Sequence, residues 1–183
     1  MDRRRLITSI DINGVICEFN TDFRDIIDIM NILDDPDLLE IERIEIALEY
    51  FYKDDNYKVD VRKAAENMFE FITLDSETKG KSSNKPLFNW EKDFNIIIAP
   101  VNRILNTDVR GLDYLHWWTF LSAFMEIGES TFSTYVTIRD KLNRGKKLEK
   151  YEERIYRDNR DRIILKPKVD STTQALLDEV MGV

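Results

Sequence analysis

Chemistry that depends on paired sulfur or imidazole has little to work with in this chain, which holds one cysteine, Cys17, and one histidine, His116. A lone cysteine excludes an intrachain disulfide and the disulfide scaffolds of small secreted domains, so a reducing compartment fits best. One Cys and one His also fall short of the usual zinc ligand set and of the paired Glu-x-x-His motifs of a di-iron bundle. Long apolar runs are missing as well. The densest, Ile96-Ile97-Ile98-Ala99-Pro100-Val101, is far from the roughly 20 residues that span a bilayer, so no membrane partner is expected. Arg3-Arg4-Arg5 opens like a signal peptide, but Thr8, Ser9 and Asp11 follow Leu6-Ile7 at once, and no export signal is expected. Gly14, Gly80 and Gly111 stand in neither a Walker nor a dinucleotide-binding pattern. A net charge of −8 disfavours binding to phosphate backbones, so nucleic acid is not an expected partner.

What is present argues for a packed globule. Of the 183 residues, 43% are hydrophobic and 11% aromatic, which outweighs the disordering tendency of 34% charged residues. That length suits a single domain over residues 1–183. The expected class is mainly α, a bundle of about six or seven helices of ordinary length with a short N-terminal β-hairpin. The hairpin, at about residues 6–19, is signalled by Asn13-Gly14 between Ile10, Ile12 and Val15, Ile16, Phe19. A helical body over about 21–143 follows. Thr21 or Asn20 is placed to cap a helix with Phe23, Ile26, Ile27, Met30 and Leu33 at helical spacing. Asp35-Pro36 reads as a second helix start, with Leu39, Ile44, Ala47, Leu48 and Phe51 inward. A third helix runs from Asp60 to Ile72, with Val61, Ala64, Ala65, Met68 and Ile72 inward. Residues 74–86 are polar and rich in Gly and Ser and read as a flexible loop. A helix opening at Asn89-Trp90 then meets Pro100, which is expected to kink or end it. Thr131 or Ser130 caps a helix carrying Phe132, Tyr135, Ile138 and Leu142, and a basic helix closes the pattern at about 146–163.

The most concentrated feature is Leu112-Asp113-Tyr114-Leu115-His116-Trp117-Trp118-Thr119-Phe120-Leu121-Ser122-Ala123-Phe124-Met125. Read as one helix from about Gly111, it is apolar around nearly its whole circumference, so it is central to the fold or covered by a partner. Asp113 and His116 would then share a face, a carboxylate orienting an imidazole. No candidate nucleophile or second His completes such a site, and a structural hydrogen bond is the stronger reading. Asp11, Asp93 and Asp108 could hold magnesium only by selection from abundant carboxylates, and are read as solvated or capping groups. Asp93, at a helix edge beside Phe94, is the one expected to pair with a basic side chain. Trp90 reads as a core anchor. From Arg139 to Lys168 the balance reverses, with 12 Lys or Arg against 6 Asp or Glu. A basic helix folded against an acidic body explains this more simply than an acidic partner does.

Three stretches together carry a resemblance: Asn20-Thr21-Asp22-Phe23-Arg24 after the hairpin, Phe88-Asn89-Trp90-Glu91-Lys92-Asp93, and above all Leu115-His116-Trp117-Trp118-Thr119-Phe120. Over about residues 8–162 the chain resembles the bacteriophage Gp-fifteen family of long-tailed phages and prophages, whose members look like tail assembly chaperones. Ile138-Arg139 and the charged stretch Gly145 to Lys150 also sit where that family places an Arg and a basic tail. The segment Ala99 to Asn106 departs from the family pattern of an alanine-aromatic helix and a glycine turn.

The resemblance implies a non-enzymatic protein that binds the tape-measure protein and keeps it soluble in the host cytoplasm, and the residues themselves give no reason to expect a cofactor or metal. It implies absence from the mature virion, and it makes a homo-oligomer and a longer frameshifted form of the chain conceivable partners. Amphipathic client helices are expected to dock on Phe23, Ile27 and Met30, or beside the Trp helix at His116, Trp117, Phe120 and Phe124. For any one of these residues, a place in the core is the simpler reading. The alternatives are a structural head or tail component retained in the particle and, further off, a carboxylate-dependent phage nuclease.

Overall fold

The computed structural model describes residues 4–74 and 85–165. Within them the chain is mainly helical, with eight α-helices and one two-stranded antiparallel sheet. The described residues form two compact units, 4–74 and 85–165. Most of the polar 74–86 segment, residues 75–84, lies outside the described residues.

The first unit opens with β1 (Ser9–Ile12) and β2 (Val15–Glu18), paired so that Ile12 faces Val15 and Ile10 faces Cys17. Asn13 and Gly14 have φ of 54° and 86°, as a two-residue hairpin turn of matching twist requires. Asp11 Oδ1 accepts the Gly14 N–H at 2.8 Å, and Asn13 Nδ2 donates to Asp60 Oδ2 at 3.0 Å. Alternation buries Ile12 and Cys17 on one face.

Three helices follow: α1 (Phe23–Leu33), α2 (Glu40–Phe51) and α3 (Val61–Thr73). The cap of α1 is Asp22, whose carboxylate accepts the Arg24 N–H, and not Thr21 or Asn20; Thr21 is buried. The second helix starts at Glu40 and not after Asp35-Pro36. Asp35 accepts the Asp37 N–H and makes a local turn, while Glu42 reaches back to the Leu39 N–H at 2.8 Å. Leu39 is consequently 69% exposed, contrary to its expected inward place, and so is Val61, at 47%. Asp60 caps α3 by accepting the Lys63 N–H, where the sequence places that start. The core of this unit is aromatic. Phe19 stacks on Phe51 at 4.7 Å and meets Phe71 edge-on at 5.0 Å, while the Tyr52 hydroxyl donates to the Ala64 carbonyl.

The second unit consists of α4 (Trp90–Leu105), α5 (Trp117–Met125), α6 (Thr131–Asn143), α7 (Lys150–Asp158) and α8 (Arg160–Ile163). Pro100 does not end α4, which continues to Leu105 with the proline ring buried. The ring packs into the core, an apolar gain that offsets the missing N–H donor at that position. Ser130 caps α6 by accepting the Ser133 N–H at 3.0 Å. Tyr135, Ile138 and Ile163 form a buried cluster, with Ile96, Leu148, Ile155 and Tyr156 packed around it. The C-terminal basic stretch therefore folds onto α6 through an apolar seam.

Candidate functional site

The Trp helix is shorter than its sequence suggests. Gly111 ends a single 3-10 turn, Leu112 to Leu115 lie ahead of the helix, and α5 begins at Trp117. The apolar circumference inferred from Leu112 onward thus joins an extended entry segment to a helix of only nine residues. His116 is the N-cap: its Nδ1 accepts the Trp118 N–H at 3.1 Å, which makes Nδ1 the unprotonated nitrogen. Asp113 is exposed and outside the helix, so the shared face that would have paired it with His116 does not form. The histidine serves as a buried cap, 3% exposed.

Around it the aromatic side chains close on one another. Trp90 meets Trp117 at 5.9 Å and Phe124 at 4.8 Å, Trp117 stacks on Phe120 at 5.8 Å, and Phe124 packs against Phe88 and Phe132. Trp117 and Phe120 are fully buried, and Phe124 is half-buried. Trp90 is the anchor that its sequence context suggests. In the first unit, Phe23 and Ile27 are buried and Met30 is half-buried. Phe23, Ile27, His116, Trp117 and Phe120 thus lie in the interior of their own units, while Met30 and Phe124 keep part of their surface exposed.

Charge is also buried. Asp93, 2% exposed, receives both terminal nitrogens of Arg139, 4% exposed, at 2.7 and 2.9 Å. The expected basic partner of Asp93 is therefore Arg139, from α6. The guanidinium goes on to donate to the carbonyls of Leu87, Arg162 and Ile163. Nearby, Lys141 Nζ lies 2.7 Å from both oxygens of Glu152, whose carboxylate also accepts the Glu149 N–H. The lysine contact, then the backbone donor, hold the Glu152 carboxyl below its ordinary range. Asp108 accepts from Arg110 and Asn102, and the Arg110 side chain foremost keeps its carboxyl well below the usual range. Asp11 and Asp108 thus act as local acceptors, while Asp93 is the acidic half of a buried long-range ion pair. Burial, ahead of the charges of Asp54 and Asp11, pushes the Cys17 thiol up from its usual range, away from thiolate chemistry.

The apolar surface that sequence reasoning missed lies elsewhere in the first unit. Leu39, Ile41, Ile46 and Tyr50 are exposed on or just before α2; Val59, Val61 and Phe69 are exposed on or just before α3. The signal was present in Glu40-Ile41-Glu42-Arg43-Ile44-Glu45-Ile46-Ala47-Leu48-Glu49-Tyr50-Phe51, which has more large apolar positions than one buried face can take.

A helical body with an N-terminal hairpin, aromatic cores and a buried Asp–Arg clamp defines a mainly α-class protein. The model of the family described as Bacteriophage Gp15 protein matches residues 3–163, and the chain belongs to that family. No curated protein and no solved structure shows significant similarity to it.

Proposed function

We propose that the chain is a non-enzymatic tail assembly chaperone that binds the phage tape-measure protein, keeps it soluble, and is displaced as the tail tube grows. Membership in a bacteriophage family supports the setting. The observation that carries the reading is the outer stripe of α3, where Val61, Ala65 and Phe69 follow at i, i+4 and i+8, with Val61 and Phe69 47% and 39% exposed. Val59, just ahead of the helix, is 52% exposed. A helical client with an apolar seam is met by such a stripe, and the net charge of −8 keeps the loaded complex dispersed. We assign to this stripe the client contact expected at Phe23, Ile27 and Met30 or beside the Trp helix at His116, Trp117, Phe120 and Phe124.

The test is co-expression with the tape-measure protein. The wild-type chain is expected to bring the client into the soluble fraction and to co-elute with it. Val61→Asp with Phe69→Asp is expected to abolish co-elution while circular dichroism remains that of the folded chain. A client that precipitates regardless of the chain sinks the proposal. Mass spectrometry of purified virions separates a transient chaperone, which is absent, from a structural component, which is present in stoichiometric amount.

A further inference from the structure

The outer faces of α2 and α7 carry opposite charges in the same spacing. On α2, Glu42, Glu45 and Glu49 are exposed and follow at intervals of three and four residues, so their carboxylates form one row. Ile46 and Tyr50, 39% and 42% exposed, border that row. On α7, Lys150, Arg154 and Arg157 are exposed at intervals of four and three residues, bordered by Tyr151, which is 57% exposed. Glu153 flanks the basic row on the side away from Tyr151.

Taken in opposite chain directions, the two spacings coincide. Lys150 then stands opposite Glu49, Arg154 opposite Glu45, and Arg157 opposite Glu42, along about 10 Å of helix. A parallel match would need Lys147, which precedes the first turn of α7. These charges are available. Glu42 accepts only the Leu39 N–H and Arg157 touches exposed Asp158 at 3.2 Å, while among the described residues Glu45, Glu49, Lys150 and Arg154 make no ion pair. The wider charge distribution points the same way: residues 4–74 hold 8 Lys or Arg against 17 Asp or Glu, and residues 139–165 hold 10 against 6.

We infer that α2 of one copy docks antiparallel on α7 of a second copy of this chain, with Ile46 and Tyr50 packed against Tyr151 beside the charge rows. Two different patches meet, so the contact is heterologous, and association runs on from copy to copy or closes into a ring. Exposed ion pairs are individually weak and screened by salt, so the assembly is reversible and concentration-dependent. The inference does not depend on the client reading.

Sedimentation velocity of the full chain tests it. At low salt the mass is expected to rise with concentration above the 21.7 kDa of one copy, and to fall back to it at high salt. Glu45→Lys with Glu49→Lys, and separately Lys150→Glu with Arg154→Glu, are each expected to stay monomeric, because like charges now face one another. An equimolar mixture of the two variants is expected to associate again and to grow past two copies, since the unaltered α7 of the first meets the unaltered α2 of the second and the two reversed patches complement one another. Growth past two copies, which needs the reversed patches themselves to pair, excludes misfolding as the cause of the loss. A wild-type chain that stays monomeric at every concentration, or a mixture no heavier than its components, overturns the inference.

Discussion

Arg139 has five N–H groups and five acceptors: both oxygens of Asp93 and the carbonyls of Leu87, Arg162 and Ile163. One side chain thereby ties together the entry to α4, the body of α6 and the last carbonyls of α8. Removing one member of a buried pair leaves the other charge without compensation, so Arg139→Met is expected to cost about 3–5 kcal/mol. The double variant with Asp93→Leu is expected to lose clearly less than the two single losses combined, because no bare charge remains. Urea unfolding followed by tryptophan fluorescence reads this directly, since Trp90, Trp117 and Trp118 all belong to the same unit. Additive losses would show that the pair is not the unit of stability. Glu152 gives a pH dependence. Its folded-state pKa is lowered from the ordinary value of 4.5, chiefly by Lys141, so its contribution is complete above that value and is lost as pH falls through the lower folded value. In acid titrations of stability, Glu152→Gln is expected to flatten the slope in that window, and an unchanged slope would remove Glu152 from the account.

Among the elements, the hairpin is the one whose local chemistry is most exposed to a single change. Gly14 has φ of 86° and open space where a Cβ would stand, so Gly14→Ala meets backbone strain alone. A loss of about 1–2 kcal/mol is expected in thermal unfolding, and a stabilised variant would contradict the turn assignment. Asn13-Gly14 was legible because a two-residue turn admits few residue types; the start of α3 at Asp60 was legible too, and the cap of α6 was narrowed to Thr131 or Ser130, of which Ser130 serves. The starts of α2 and α5 were not. Asp35 has a carboxylate that fits a cap or an Asx turn equally well, and only tertiary packing selects the turn. His116 is an uncommon cap, and the apolar residues from Leu112 to Leu115 continue the helical pattern into a segment that is not helical. Of the two outcomes expected at Pro100, an end to the helix does not occur, since α4 runs on to Leu105 with the ring buried. The clamp was half legible: Asp93 called for a basic partner, but nothing local identifies Arg139, 46 residues away. The candidate client residues were chosen as apolar and periodic, and periodicity marks the buried face first, so Phe23, Ile27, Trp117 and Phe120 went to the core.

At the scale of the whole chain, the net charge of −8 is the sum of unlike regions, and the basic segment invites comparison with a nucleic-acid-binding tail. Two observations weaken that comparison. Part of the positive charge is committed internally, Arg139 to Asp93 and Lys141 to Glu152, and so cannot release counterions from a phosphate backbone. Acidic residues, Glu149, Glu152, Glu153, Asp158 and Asp161, are also interleaved with the remaining cations, where a backbone-tracking groove would carry one sign. Contact with the carboxylate row of another copy tolerates that mixture better, because acid–base pairs can be matched residue by residue whereas a uniform line of phosphates cannot. The expected outcome is that duplex DNA is not retained by the full chain in a gel shift at about 0.15 M salt. Any binding at lower salt is expected to vanish over a small rise in concentration, with a slope corresponding to very few phosphates. The Lys150→Glu, Arg154→Glu variant then changes self-association and leaves DNA mobility unaltered. Firm retention at that salt, lost in the same variant, would instead make the outer face of α7 a phosphate-binding surface and assign its cations to nucleic acid.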